Sequence, residues 1–181
     1  MKFKDTKIKD LYIIEPEPFI DHRGKFYRVF CENELNKIGH SKRIVNVNSS
    51  TTLKKGSIRG LHFQYPPKAE IKIVKCVSGS IFDVAVDLRK NSPTYLQWHG
   101  EILSKENSRM LYVPEGFGHG FQALEDDVEI IYFVTEFYSP ENEGGVRYND
   151  SKVNIKWPME VIDISEKDGK IPLIDDNFKA M

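Results

Sequence analysis

Short apolar runs and period-two alternation recur along the chain, at Leu11–Ile14, Phe26–Phe30, Ile44–Val47, Ile58–Phe63, Ile71–Val77, Ser80–Leu88, Gln97–Leu103, Ser108–Val113 and Val128–Phe137. Successive side chains of an extended chain point to opposite faces, so alternation marks a strand with one buried face. Turn-forming clusters separate the runs: Asp21-His22-Arg23-Gly24, Lys54-Lys55-Gly56, Tyr65-Pro66-Pro67, Ser78-Gly79, Asn91-Ser92-Pro93, Pro114-Glu115-Gly116 and Glu125-Asp126-Asp127. Many short strands without intervening helices predict an all-β antiparallel sandwich or barrel. Helical spacing is confined to Glu32–Ile38, where Leu35 and Ile38 share a face, and the S-x-x-D spacing of Ser165 and Asp168 predicts a short final helix. No repeat, low-complexity tract or linker divides the chain, so residues 1–181 are expected to form one domain.

A domain of 181 residues buries roughly 70% of its unfolded surface, enough for a core that needs no staple. The two cysteines, Cys31 and Cys76, form no CxxC and no Cys/His cluster, which predicts neither a disulfide framework nor a structural zinc site and favours a reducing cytoplasm. The opening MKFKDTKIKDLYIIEP scatters lysines among apolar residues, with no run long enough for a secretion signal and no later run long enough for a membrane span. The expected protein is soluble and unexported. A net charge of -1, from 26 basic and 27 acidic residues, argues against general attraction to nucleic acid or anionic membrane.

Arg59-Gly60-Leu61-His62-Phe63-Gln64 changes this picture, because it sets polar side chains into a segment patterned as a buried strand. His62 and Gln64 fall on one face, Leu61 and Phe63 on the other. A histidine there is either a base with its charge change near neutral pH or a buried ring held by a backbone carbonyl. In Val113-Pro114-Glu115-Gly116-Phe117-Gly118-His119-Gly120-Phe121 a second histidine follows a Pro/Gly-rich turn, and its flanking glycines allow close approach of backbone or ligand. That segment is similar to the P-x-G-x-x-H pattern of the cupin jelly roll. Metal-binding cupins place a second histidine where this chain has Gln64, and an amide is a poor ligand for a transition metal. With His62, His119 and Glu70 the ligand set falls short, so no metal is expected. On the strand predicted through Phe137, Tyr132 and Tyr138 share a face about 20 Å apart, the span of an extended nucleotide sugar; equally, they are core-strand tyrosines whose hydroxyls reach solvent. Arg23, Arg59 and Lys72 sit beside glycine turns or in strands and suit a diphosphate, with a solvated surface as the alternative for each.

Together these residues resemble the dTDP-4-dehydrorhamnose 3,5-epimerase family. The resemblance is carried by Asp21-x-Arg23-Gly24-x-Phe26, Arg59 to Gln64, Phe82 to Arg89, Asn91-Ser92-Pro93-Thr94, Val113 to Phe121, Tyr148-Asn149-Asp150, Ile155-Lys156-Trp157-Pro158 and Ser165-Glu166-Lys167-Asp168. It implies a cupin-type jelly-roll homodimer that uses no metal or cofactor and acts on a nucleotide-diphosphate 4-keto-6-deoxy sugar. It further implies that His62 is the general base, Asp168 its carboxylate partner and Tyr132 the general acid. Arg23, Asn48, Arg59, Lys72, His119, Glu143 and Lys167 would line the substrate site, and Tyr138 would stack on the base.

Two regions depart from the family pattern. Arg28 stands where many members carry a glutamate, and Asn46-Val47-Asn48-Ser49 differs from the usual Q-D-N with an apparent one-residue length change. An arginine only donates hydrogen bonds, so a nucleotide other than dTDP, such as CDP, is an expectation to test. Gly118 replaces the alanine common before His119. Competing readings are a single-centre 3- or 5-epimerase, a non-catalytic sugar-nucleotide-binding cupin, and a metal cupin, the last disfavoured by Gln64.

Overall fold

The computed structural model describes residues 1–181. In chain order the elements are β1 (Lys2–Asp5), β2 (Tyr12–Glu15), β3 (Phe19–Asp21), β4 (Gly24–Phe26), α1 (Glu32–Leu35), β5 (Asn46–Thr52), β6 (Ser57–Gln64), β7 (Lys72–Ser78), β8 (Ser80–Asp87), β9 (Trp98–Ser104), β10 (Met110–Val113), β11 (Phe117–Ala123), β12 (Val128–Val134), β13 (Glu143–Gly145), β14 (Asp163–Ile164) and α2 (Glu166–Gly169). One six-stranded sheet runs β1-β2-β10-β7-β12-β5 and a second runs β13-β6-β11-β8-β9, with β14 added in parallel to β6. β3 and β4 form a separate hairpin. The architecture is the all-β cupin jelly roll.

Burial explains why the central strands read as apolar runs rather than clean alternation. The main core lies between the sheets, where Val74, Cys76, Leu111 and Ile130 of the first meet Ile81, Ala85, Phe117 and Phe121 of the second. The reverse face of the second sheet is covered by Val146, Val153, Ile155 and Ile174 packed on Leu61, Val84 and Val86. Leu35 of α1 joins Ile14, Ile73 and Met110 on the reverse face of the first. Strands covered on both sides need apolar residues at consecutive positions. No helix is long and apolar enough to cross a membrane.

Several predicted boundaries are corrected. Phe26–Phe30 is not a strand: pairing stops at Phe26, the end of an exposed hairpin. The strand expected at Ile44–Val47 lies at Asn46–Thr52, where the half-buried positions Asn46, Asn48 and Ser50 are polar and leave no hydrophobic signal. β12 ends at Val134 rather than Phe137, so Tyr132 and Tyr138 are not on one strand and the shared-face argument for them does not hold. β11 was not anticipated, because Gly118-His119-Gly120 interrupts the apolar pattern although every residue of the strand is buried. The helix at Glu32–Ile38 is present as α1 continued by a 3-10 turn through Ile38. α2 begins at Ser165, whose hydroxyl accepts from the Asp168 N–H at 3.1 Å.

The glycines around the two histidines serve backbone approach. Gly60 has φ +106°, and a Cβ there would sit 2.7 Å from the His119 carbonyl oxygen; a Cβ on Gly120 would sit 2.6 Å from the Arg59 carbonyl oxygen. β6 and β11 therefore touch backbone to backbone beside a bulge in their register. Gly118 differs, since its nearest neighbour is the Leu88 Cδ1 methyl at 3.3 Å. Gly120→Ala is expected to cost roughly 1–3 kcal/mol in chemical denaturation through overpacking. Gly118→Ala should cost clearly less; equal losses would show that the close approach is not the constraint.

Candidate active site

A cavity of about 570 Å³ opens between the sheets, walled by β5, β6, β11 and β12 and by the segment leading into α2. Its polar lining includes Arg59, His62, Lys72, His119, Tyr132, Lys167 and Asp168, so seven of the expected residues converge in one space.

The geometry starts from α2. Its N-cap turn delivers Asp168, which is 4% exposed, to the back of β6. Asp168 Oδ1 accepts from His62 Nε2 at 2.7 Å and Oδ2 accepts from the Gly60 N–H at 2.9 Å. Burial pushes this carboxyl upward, but the hydrogen bonds from His62 and Gly60 outweigh it and hold Asp168 below the usual carboxylate range. An ionised partner at Nε2 fixes that nitrogen as the donor and leaves Nδ1 as the acceptor.

His119 is the cross-strand neighbour of His62 and forms a second dyad, its Nε2 lying 2.8 Å from Oδ1 of the fully buried Asp83. Tyr132 reaches the cavity from β12, with Asn48 directly opposite it on β5. Lys72 ion-pairs with Glu70 at 3.1 Å and lies 3.4 Å from the His62 carbonyl. Arg59 is held by neutral acceptors, Thr52 Oγ1 at 2.8 Å and the Thr51 carbonyl at 2.9 Å. Its charge is therefore oriented without being neutralised, as suits an arginine that meets a phosphate. Lys167 contacts Glu143 at 2.7 Å, and Glu143 accepts from the Tyr138 hydroxyl at 2.9 Å. Glu143 and Tyr138 thus extend the site beyond the cavity wall.

Two expected residues stand apart. Asn48 faces Tyr132 across the strand pair but does not line the cavity. Arg23 lies on the exposed β3–β4 hairpin, paired with Asp21 at 2.6 Å. Arg28 bonds Glu34 at 2.8 Å, which engages the guanidinium that had suggested a different nucleobase. Sequence reasoning missed Asp83, Thr52 and the pairing of Glu70 with Lys72. Asp83 had left a signal, as a carboxylate inside the otherwise apolar stretch Ile81 to Val86.

No three His, Cys, Asp or Glu side chains are grouped to hold a metal ion. What the arrangement can do is move protons: an oriented imidazole faces a cavity that also presents a phenol and an ammonium group.

The sequence profile described as dTDP-4-dehydrorhamnose 3,5-epimerase matches residues 5–176. The dTDP-4-dehydrorhamnose 3,5-epimerase of Salmonella typhimurium is 44% identical over 172 residues, covering 94% of this chain and 93% of its own. The Bacillus anthracis dTDP-4-dehydrorhamnose 3,5-epimerase, solved with TDP and PPi bound, superposes with a TM-score of 0.92 at 42% identity, over 96% of this chain and 99% of that one. The Legionella pneumophila dTDP-6-deoxy-D-glucose-3,5-epimerase, solved with dTDP-4-keto-L-rhamnose, gives a TM-score of 0.90 at 40% identity, over 95% and 92%. With a profile spanning nearly its whole length and relatives matched end to end, this chain belongs to the dTDP-4-dehydrorhamnose 3,5-epimerase family.

Proposed function

We propose that the chain is an isomerase that inverts carbons 3 and 5 of a dTDP-linked 4-keto-6-deoxyhexose, converting dTDP-4-dehydro-6-deoxy-D-glucose into dTDP-4-dehydro-L-rhamnose, without a metal or cofactor. The observation that carries this reading is the His62–Asp168 pair facing the cavity that Tyr132 also lines. The C4 ketone acidifies the hydrogens on C3 and C5. His62 Nδ1 takes one proton, the electron pair moves onto the C4 oxygen, and Lys72 stabilises the resulting enolate. Tyr132 delivers a proton to the opposite face of the carbon, inverting it, and regains its own from solvent, while the His62 imidazolium releases the proton it took to solvent and is again a base. Asp168 holds the ring tautomer and stabilises the imidazolium. Repetition at the second carbon completes the reaction.

Arg59 and Lys167 are assigned to the diphosphate, His119 to the sugar, Asn48 and Glu143 to the nucleoside, and Tyr138 to stacking on the base. The dTDP assignment is preferred over CDP because Arg28 is bonded to Glu34 and the relatives are named for dTDP. One domain over residues 1–181 and a cytoplasmic location belong to the same reading, in keeping with two free cysteines and the absence of an apolar spanning helix.

The functional unit in this proposal is a homodimer. The β3–β4 hairpin carries Phe19, Ile20 and Phe26, each more than two-thirds exposed, and three bulky apolar side chains on one small hairpin favour a covering partner. Arg23 sits on the same hairpin, outside its own cavity. A second copy accounts for both facts if the hairpin docks on it and Arg23 enters that copy's site.

Incubation with the 4-keto substrate in deuterated water, followed by NMR, tests the chemistry. Wild type should incorporate label at both carbons. His62→Ala should lose about 100- to 10,000-fold in rate, and Tyr132→Phe should give partial or misdirected exchange. Label at one carbon only in wild type would make this a single-centre epimerase. Mixing inactive Arg23→Ala with inactive His62→Ala should restore activity through mixed dimers that contain one intact site. No recovery from a mixture shown to exchange subunits would place Arg23 in its own chain's site.

A further inference from the structure

Gln64 ends the segment that holds His62, yet it takes no part in the chemistry above. It is 4% exposed, and its amide is fully engaged. Oε1 accepts from the Ser139 N–H at 2.6 Å, while Nε2 donates to the Lys68 carbonyl at 2.8 Å and to the Phe137 carbonyl at 3.3 Å. Phe137 and Ser139 are the neighbours of Tyr138 on either side. One flat amide thus grips the chain before and after that tyrosine, as a partner strand would.

The grip matters because β12 has already ended at Val134. Neither the Phe137 carbonyl nor the Ser139 N–H has a backbone partner. The Tyr138 ring stands 63% exposed, and its hydroxyl donates to Glu143 Oε2. Glu143 is itself the cross-strand neighbour of Gln64. The tyrosine is therefore anchored by one cross-strand pair, its flanking backbone by Gln64 at the end of β6 and its hydroxyl by Glu143 at the start of β13.

We propose that Gln64 is the positioning residue of the nucleobase site, acting through Tyr138, an inference that rests on the reading of Tyr138 as the stacking residue. The chemistry selects this side chain. Two carbonyls and one N–H require two donors and one acceptor on a single planar group at this reach, which a glutamine amide supplies. A carboxylate would face both carbonyls without a proton, and an imidazole could not bond all three. The glutamine that spoils a cupin metal site is thus employed to shape a binding loop.

Calorimetric titration separates the base from the phosphates, using dTDP and inorganic pyrophosphate as probes. Gln64→Met should weaken dTDP about 5- to 20-fold, through loss of the two hydrogen bonds to the backbone on either side of Tyr138, and leave pyrophosphate within about twofold. KM should rise with little change in kcat. In a Tyr138→Ala background Gln64→Met should add nothing, since the residue through which it acts is gone. Gln64→Asn, which keeps the chemistry but cannot reach, should repeat the pattern if the methionine variant fails to fold. Equal weakening of pyrophosphate, or full additivity with Tyr138→Ala, would overturn the inference. Unchanged dTDP affinity in Tyr138→Ala alone would instead remove the stacking reading, and this inference with it.

Discussion

The site depends on one buried carboxylate. Asp168 lies 106 residues beyond His62 in the chain, yet it bonds both the imidazole and the Gly60 N–H of the same strand. A carboxylate removed from water must find donors, and here the available donors are the catalytic candidate and its backbone neighbour. Satisfying Asp168 therefore docks α2 against β6, closes one wall of the cavity and sets the tautomer of His62 in a single contact. The Ser165 cap, which turns the chain so that Asp168 points inward, belongs to the same constraint.

The second constraint is backbone proximity. Gly60 and Gly120 let β6 and β11 approach until no side chain fits between them, which brings His62 and His119 opposite one another. Each ring then has its own carboxylate, so neither competes for the other's partner. Lys72 and Arg59 bring positive charge to the same space in different ways. Lys72 is balanced by Glu70, as a largely buried ammonium needs, whereas Arg59 is steered by the neutral Thr51 and Thr52 oxygens and keeps its full charge.

Much of this was legible in the sequence for physical reasons. The core strands β6 to β10 carry apolar side chains toward one or both sheet faces, so their pattern marks them. The Ser165 to Asp168 spacing marks a helix start because the capping bond needs that geometry. What failed were elements whose inward residues are polar or absent: β5 presents asparagines, serine and threonine, and β11 is built around Gly118 and Gly120. Tyr138 was misplaced on β12 because its position is set by Gln64, a contact across 75 residues that no local periodicity encodes. Arg23 was singled out as a cation beside a glycine turn and Asn48 by resemblance alone, and neither lines the cavity of its own chain.

The central claim is that His62 and Asp168 act as one proton-transferring unit, and a double-mutant comparison of solvent deuterium exchange into the 4-keto sugar tests it most directly. If the pair is one unit, Asp168→Asn should lower exchange at carbons 3 and 5 by about 100-fold or more, and adding it to His62→Ala should lower exchange little further. Losses that multiply in the double variant, or near-normal exchange in Asp168→Asn, would contradict the account.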